Sequence, residues 1–147
     1  MIFEIVKMNS NHIEGIAGIE RECFSMPWSE KALADELENS NARFFAAVCG
    51  NTVIGYIGAF NAYGEVSLTN VAVKSEFRKK GVACALLNEL EKTVKAENAE
   101  FITLEVRASN EAAINLYSKL GYIQSGLRKG FYQKPSEDAI LMKKEFK

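Results

Sequence analysis

A strand, a charged loop with a glycine, and a helix follow one another in the middle of this chain, and this succession constrains the fold most. The strand ends in the run Val71–Val73, and the loop 74–81 carries three consecutive basic residues before its glycine. Apolar residues then recur at helical spacing, at Val82, Leu86, Leu87, Leu90 and Val94. The first N–H groups of such a helix have no partner within it and lie at the positive end of its dipole. The pattern predicts a phosphate-binding turn.

The small residues of the loop support this prediction. A phosphate reaches backbone N–H groups only where no bulky side chain shields them, as at Gly81 and Ala83. Arg78, Lys79 and Lys80 would add positive charge. Neither a Walker A loop nor a Gly-x-Gly-x-x-Gly dinucleotide fingerprint occurs. The alternative interpretation is an ordinary basic turn before an amphipathic helix.

The composition limits the classes of protein to which the chain can belong. Its 147 residues, 48% of them hydrophobic, predict one domain, residues 1–147, with a single core. No apolar run approaches the ~20 residues of a membrane span, and the N-terminus does not resemble a signal peptide. The net charge of −1 provides no extended field for nucleic acid. Three widely spaced cysteines indicate neither disulfides nor a metal site, and they fit a reducing cytoplasm.

The remaining periodicity predicts that helices and strands alternate along the chain. Pro27 separates two short helices near the N-terminus, and Gly50-Asn51 is a turn pair typical of tight hairpins. The predicted elements are, in order, a strand within 1–7, helices on either side of Pro27, strands over 44–49, 53–60 and 65–73, a helix over about 80–97, a strand over 101–106, a helix that stops at Gly121, and strands over about 122–129 and 139–144.

Two residues in the second half of the chain are candidates for acid–base chemistry. Glu105 lies near the end of the strand 101–106, and Tyr117 lies on the face of the next helix that packs against the sheet. We expect both side chains to look into one cleft, where a carboxylate takes a proton from an amine and a phenol gives one to a leaving thiolate. The alternatives are a structural partner of Arg107 and a core aromatic residue.

These motifs together resemble the GCN5-related N-acetyltransferases. The loop 78–83 matches the acetyl-CoA loop of that family, Arg/Gln-x-x-Gly-x-Gly/Ala, and the similarity extends over nearly the whole chain. The segment 104–110, with a tyrosine seven residues after its asparagine, is the most specific part. More narrowly, the chain is similar to the bacterial branch that acetylates the N-terminal alanine of a ribosomal protein. Further segments that carry this similarity are 27–29, 113–117, 121–122, 128–132 and 137–139.

The resemblance implies a fold and an activity. The fold is α/β (α+β), with a mixed, mostly antiparallel sheet of about six to seven strands, about four flanking helices and a cofactor groove between two splayed central strands. The activity is that of an acetyl-CoA-dependent acyltransferase without a metal, in which the amine attacks directly in a ternary complex. The acceptor is a protein N-terminus, that of alanine in a small-subunit ribosomal protein. Neither nucleic acid nor a membrane is an implied partner, and the enzyme would be a cytoplasmic monomer.

The resemblance also implies roles for individual residues. Glu105 would be the general base, and Tyr117 the general acid on the departing CoA thiolate. Backbone groups at the strand end would bind the pantetheine arm, main-chain N–H groups after Arg78 would hold the pyrophosphate, and Asn110 would hydrogen-bond the cofactor. The implied cofactor-binding residues are Val71, Ala72, Val73, Arg78, Lys79, Lys80, Gly81, Val82, Ala83, Cys84, Asn110 and Tyr117.

The proton balance favours an α-amine over a lysine as the acceptor. An α-amine with a pKa of about 7.7–8.0 is neutral in roughly a tenth of molecules at pH 7, whereas a lysine with a pKa near 10.4 is neutral in roughly one of 2,500. A single carboxylate is therefore sufficient for the α-amine. A lysine or small-molecule amine as acceptor, and a CoA-binding module without turnover, remain as alternatives.

Overall fold

Seven β-strands and four α-helices make up the structure, a computed structural model that describes residues 1–147. The strands are β1 (Glu4–Lys7), β2 (Ala42–Cys49), β3 (Thr52–Ala62), β4 (Glu65–Val73), β5 (Phe101–Arg107), β6 (Ile123–Tyr132) and β7 (Glu137–Glu145). The helices are α1 (Ile13–Cys23), α2 (Glu30–Asp35), α3 (Val82–Ala96) and α4 (Glu111–Lys119). No helix is long and apolar enough to span a membrane.

The strands form one sheet in the order β1-β2-β3-β4-β5-β7-β6. All neighbours are antiparallel except β4 and β5, which are parallel. These two strands pair only where Glu65–Ser67 faces Phe101–Thr103, although β4 continues to Val73 and β5 to Arg107. The expected mixed, mostly antiparallel sheet with two splayed central strands is therefore confirmed.

A β-bulge bends β4 where it leaves β5. Gly58 of β3 pairs with Asn70, whereas the next residue, Ala59, pairs with Leu68. Thr69 is therefore the extra residue, and its hydroxyl donates a 2.9 Å hydrogen bond to the carbonyl oxygen of Gly58. Because a bulge bends its strand and increases the local twist, it turns β4 away from β5 directly after their paired segment.

Helices cover both faces of the sheet. The larger core cluster includes the fully buried Leu86 and Leu90 of α3 and Ile102 of β5, together with residues of α4. The smaller cluster includes Ile16 of α1 and Leu33 of α2. Each such side chain contributes roughly 1.5–3 kcal/mol on burial. The sheet thus separates a face covered by α3 and α4 from a face that α1 and α2 cover in part, and the gap between β4 and β5 connects the two faces.

The last two strands are longer than predicted. β6 continues to Tyr132 and β7 begins at Glu137, so the segment 128–132 belongs to a strand and only 133–136 form the turn. β6 lies at the edge of the sheet, and eight of its ten residues are exposed. Its pairing is also interrupted between Arg128 and Tyr132. Hydrophobic alternation, the signal used for strands, is therefore absent from this part of the sequence.

Candidate active site

The loop between β4 and α3 presents backbone groups to open space. Gly81 precedes α3 with φ of 82°, a left-handed conformation that side chains disfavour. A β-carbon at this position would meet no atom within 4 Å. Lys79 also has positive φ, at 61°. Left-handed residues before a helix leave the first helical N–H groups pointing into a concavity that suits an anion.

A cavity of ≈ 250 Å³ lies beside this loop, between the start of α3 and the side of α4. Seven of the twelve predicted cofactor-binding residues line it: Val73, Arg78, Lys79, Gly81, Val82, Ala83 and Cys84. Helix α4 contributes Ala112 and Leu116, which were not predicted. The structure therefore brings most of the predicted residues to one cavity, which is lined mainly by apolar residues and has Arg78 and Lys79 as its charged residues.

Arg78 turns back toward the sheet. Its Nε donates a 3.0 Å hydrogen bond to the carbonyl oxygen of Val73, and its Nη2 lies 3.3 Å from Sγ of Cys23. The neighbouring Glu22 accepts a 3.0 Å hydrogen bond from the backbone N–H of Ser75. The end of α1 therefore contacts the loop between β4 and α3 through Cys23 and Glu22. Arg78 fixes the conformation of this loop in addition to bringing charge to it.

The other predicted cofactor-binding residues have different surroundings. Ala72 is buried and Val71 packs against the larger core, so only their backbone groups are available to a ligand. Lys80 is exposed. Oδ1 of Asn110 accepts a 3.2 Å hydrogen bond from the N–H of Ala113 and caps α4. A hydrogen bond from Asn110 to a cofactor would therefore have to come from its Nδ2.

Glu105 and Tyr117 lie on opposite faces of the sheet. Side chains alternate along a strand, and Leu104 and Val106 of β5 belong to the core cluster that contains Tyr117. Glu105, between them, is exposed on the other face. A cleft shared by both side chains would therefore have to pass through the sheet. They can meet only through the gap where β4 and β5 are no longer paired.

Tyr117 is a buried ring whose hydroxyl remains accessible. The side chain is 4% exposed, and burial, followed by the proximity of Tyr132, raises the pKa of its hydroxyl. No hydrogen bond contributes to this shift. Every polar side-chain atom that is shut off from solvent has a hydrogen-bond partner. The Tyr117 hydroxyl therefore keeps contact with solvent, as a group that meets a ligand must.

Tyr132, at the end of β6, interacts electrostatically with both candidates, which the sequence did not indicate. Burial and then the charge of Glu105 raise the pKa of the half-buried Tyr132, whereas Arg107 lowers it. Tyr132 in turn raises the pKa of Tyr117. It is therefore within electrostatic range of both residues. Local sequence carries no signal for this, because β6 reaches the site only through its pairing with β7.

A buried carboxylate holds the segment before α2, and sequence analysis missed this residue too. Glu20 is fully buried and accepts hydrogen bonds from the Tyr56 hydroxyl, from Nδ2 of Asn70 and from the backbone N–H of Trp28. Burial raises its pKa, although these bonds oppose the shift. The ring of Trp28 lies 5.8 Å from that of Phe44. Glu20 thereby joins α1, β3, β4 and the segment before α2.

Comparison with known proteins gives consistent matches over most of the chain. Residues 13–122 match the model of the Acetyltransferase (GNAT) family. An N-alpha-acetyltransferase of Saccharolobus solfataricus is 35% identical over 95% of this chain and 91% of its own length. The [ribosomal protein bS18]-alanine N-acetyltransferase of Escherichia coli K12 is 33% identical over 84% of each chain. The crystal structure of the ribosomal-protein-S18-alanine N-acetyltransferase from Escherichia coli superimposes with a TM-score of 0.89 and 28% identity, over 98% of this chain and 94% of that one.

Proposed function

The chain belongs to the acetyltransferase (GNAT) family and is an acyltransferase, and on this premise we propose that it acetylates the N-terminal α-amine of a protein. The observation that carries the proposal is the gap between β4 and β5, which has the backbone cradle at Gly81 on one face and Glu105 on the other. The name of the Escherichia coli relative supports a narrower proposal, the N-terminal alanine of a small-subunit ribosomal protein. Such an acceptor also places the enzyme in the cytoplasm.

The face covered by α3 and α4 fits acetyl-CoA. The open space at Gly81 and the free N–H groups that begin α3 suit a diphosphate. The unpaired edge of β4, up to Val73, offers backbone groups to the pantetheine arm. Acetyl-CoA supplies an acyl group already activated as a thioester. The residues of this chain need only bind acetyl-CoA, admit the amine, accept a proton from the amine and donate one to the leaving thiolate.

Glu105 receives the acceptor on the opposite face. Its side chain is exposed and takes part in no salt bridge, so the carboxylate is free to accept a proton from an ammonium group. An α-amine with a pKa of about 7.7–8.0 needs little help to become neutral. One carboxylate, acting directly or through a water molecule, therefore suffices, and the neutral amine attacks through the gap without an acyl-enzyme.

Tyr117 supports the departure of the thiolate. Its raised pKa keeps the hydroxyl protonated throughout the neutral range, so it is always able to donate. A thiol has a pKa of about 8.5 and its thiolate is a weaker base than a buried phenolate. We assign to Tyr117 the donation of a hydrogen bond to the negative charge that develops on the thiolate sulfur. Its proton either stays on the hydroxyl or moves to the sulfur late in the reaction.

A matched pair of peptides tests this proposal. Both carry one internal lysine, and they differ only in that one begins with a free alanine and the other with a blocked alanine. With acetyl-CoA in excess, mass spectrometry should find acetylation of the free N-terminus and of nothing else. Acetylation of the blocked peptide on its lysine would overturn the proposal. Intact masses of ribosomal proteins from cells with and without the gene then identify the acceptor, as the protein that loses one acetyl group.

A further inference from the structure

Arg107, the last residue of β5, reaches across to the turn that joins β6 and β7. Its two terminal nitrogens donate hydrogen bonds of 3.0 Å to the carbonyl oxygen of Gln133 and 2.9 Å to that of Pro135. Nη1 also lies 3.3 Å from Oε1 of Glu137. The guanidinium carbon lies 4.5 Å from the centre of the Tyr132 ring. One side chain thus contacts both strands of the hairpin and the turn between them.

Backbone groups strengthen this attachment. The second carboxylate oxygen of Glu137 accepts a 2.6 Å hydrogen bond from the N–H of Ser109, and the N–H of Ala108 donates to the carbonyl oxygen of Asp138 at 3.1 Å. The bonds from Ser109 and Arg107 hold the pKa of Glu137 below its ordinary value. The end of β5 and the hairpin are therefore fixed to each other at several points, with Arg107 at the centre.

The contacts of Arg107 fix the position of the β6–β7 hairpin relative to Glu105. Arg107 follows Glu105 by two residues, so both side chains lie on the same face of β5. Tyr132 packs on the guanidinium and is within electrostatic range of Glu105. The end of β6 is therefore near Glu105 on this face, and Arg107 holds the adjoining turn.

We infer that Arg107 is a positioning residue for the acceptor: it holds the turn 133–136 and Tyr132 so that the hairpin forms one wall of the acceptor path beside Glu105. This inference rests on the proposed function, since it assumes that the acceptor reaches Glu105 from that face. Arginine suits the task because its planar fork donates to two carbonyls and a carboxylate while its face covers an aromatic ring. A lysine has one ammonium group and cannot make these contacts together.

Arg43 provides a matched control. Its Nε donates to the carboxylate of Glu97, and its Nη1 donates to the carbonyl oxygens of Ser40 and Ala42. Its side chain is 24% exposed, against 27% for Arg107. The two arginines therefore each bind a carboxylate and two backbone carbonyl oxygens at nearly the same burial, but the partners of Arg43 lie at the end of α3 and around the start of β2.

The test compares R107Q and R107K with R43Q. In both Arg107 variants the KM for a peptide with a free N-terminal alanine should rise by about tenfold, while the KM for acetyl-CoA stays within about twofold. R43Q should leave the KM for the peptide unchanged at a comparable loss of thermal stability. Hydrogen exchange of the amides 130–138 should accelerate in the Arg107 variants alone.

Each result separates this inference from the proposed function. An unchanged peptide KM in R107Q, or an equal rise in R43Q, overturns the inference, and so does full rescue by R107K, which would mean that charge alone is needed. A wild-type enzyme that acetylates lysine instead of the α-amine overturns the proposed function. In that case the same comparison of KM values with the lysine acceptor, and the exchange of amides 130–138, still decide whether Arg107 positions the hairpin.

Discussion

Nε of Arg78 donates a 3.0 Å hydrogen bond to the carbonyl oxygen of Val73, and this bond ties the loop between β4 and α3 to the end of the strand before it. The same side chain approaches the thiol of Cys23 at the end of α1. The strand end, the loop and α1 are therefore held in one arrangement by a residue that a sequence motif describes only as a basic position. Two functions, charge and loop shape, are combined in Arg78.

Substitution of Arg78 by lysine separates these two functions. R78K keeps the charge, but a single ammonium group cannot reproduce both contacts. We expect the KM for acetyl-CoA to rise by about tenfold, as for the loss of one or two hydrogen bonds that shape a site. The exposed Lys80 is the control, because K80A removes a charge without altering the loop. A larger effect in K80A than in R78K would mean that charge matters more than shape.

Substitution of Gly81 by alanine should leave the protein folded but weaken its binding of acetyl-CoA. Its φ of 82° makes any side chain costly by about 1–2 kcal/mol, and the β-carbon would enter the open space of the cradle. Gly50, with φ of 61° and equally open surroundings, lies in the turn between β2 and β3. G81A and G50A should therefore lower the melting temperature by similar amounts, whereas calorimetry should find weaker acetyl-CoA binding in G81A only. Equal affinities in the two variants would contradict a cradle at Gly81.

Glu105 and Tyr117 should affect turnover more than cofactor affinity. E105Q and Y117F should each lower kcat by about 10²-fold or more, the usual contribution of a positioned acid or base, with little change in the KM for acetyl-CoA. Because burial raises the pKa of Tyr117, its hydroxyl stays protonated to a higher pH than an ordinary tyrosine. The activity of the wild type should then show no decrease from this group below about pH 10. Wild-type turnover in either variant would remove that residue from its role.

The sequence predicted the helices and strands of the fold better than the packing and register between them. β4 begins and ends where expected, because its β-branched run is bounded by a turn at Gly64 and by the charged loop. The sequence did not indicate that Glu105 and Tyr117 lie on opposite faces of the sheet. Local periodicity gives the face of a side chain, but the opening of the sheet depends on the register of β4 against β5, more than thirty residues apart.

The residues that sequence analysis missed share one property. Glu20 meets Tyr56 and Asn70 across 36 and 50 residues of chain, and Tyr132 of β6 packs on Arg107 of β5. Such contacts are set by tertiary packing and leave no local pattern. The loop at Gly81, in contrast, is a local structure, and for that reason a strand, a loop and a helix could be predicted there from spacing.

Glu20 should give the protein a pH dependence of stability opposite in sign to that from Glu22. Burial raises the pKa of Glu20, so the unfolded chain releases this proton first as the pH rises. The native state then binds more protons, and the free energy of unfolding falls with rising pH until the folded pKa is passed. The neutral variant E20Q cannot titrate. The stability of the wild type relative to E20Q should therefore decrease between about pH 4.3, the ordinary glutamate pKa, and neutrality.

Glu22 is the control with the opposite sign. Hydrogen bonds from Ser75 lower the pKa of this exposed carboxylate, so the stability it contributes is present above the ordinary pKa and is lost as the pH falls through the folded value. Urea unfolding at a series of pH values, for the wild type, E20Q and E22Q, measures both differences. A wild-type advantage over E20Q that grows toward neutral pH would show that the three hydrogen bonds to Glu20 outweigh its burial, and that this residue holds Trp28 as a fully stabilised anion.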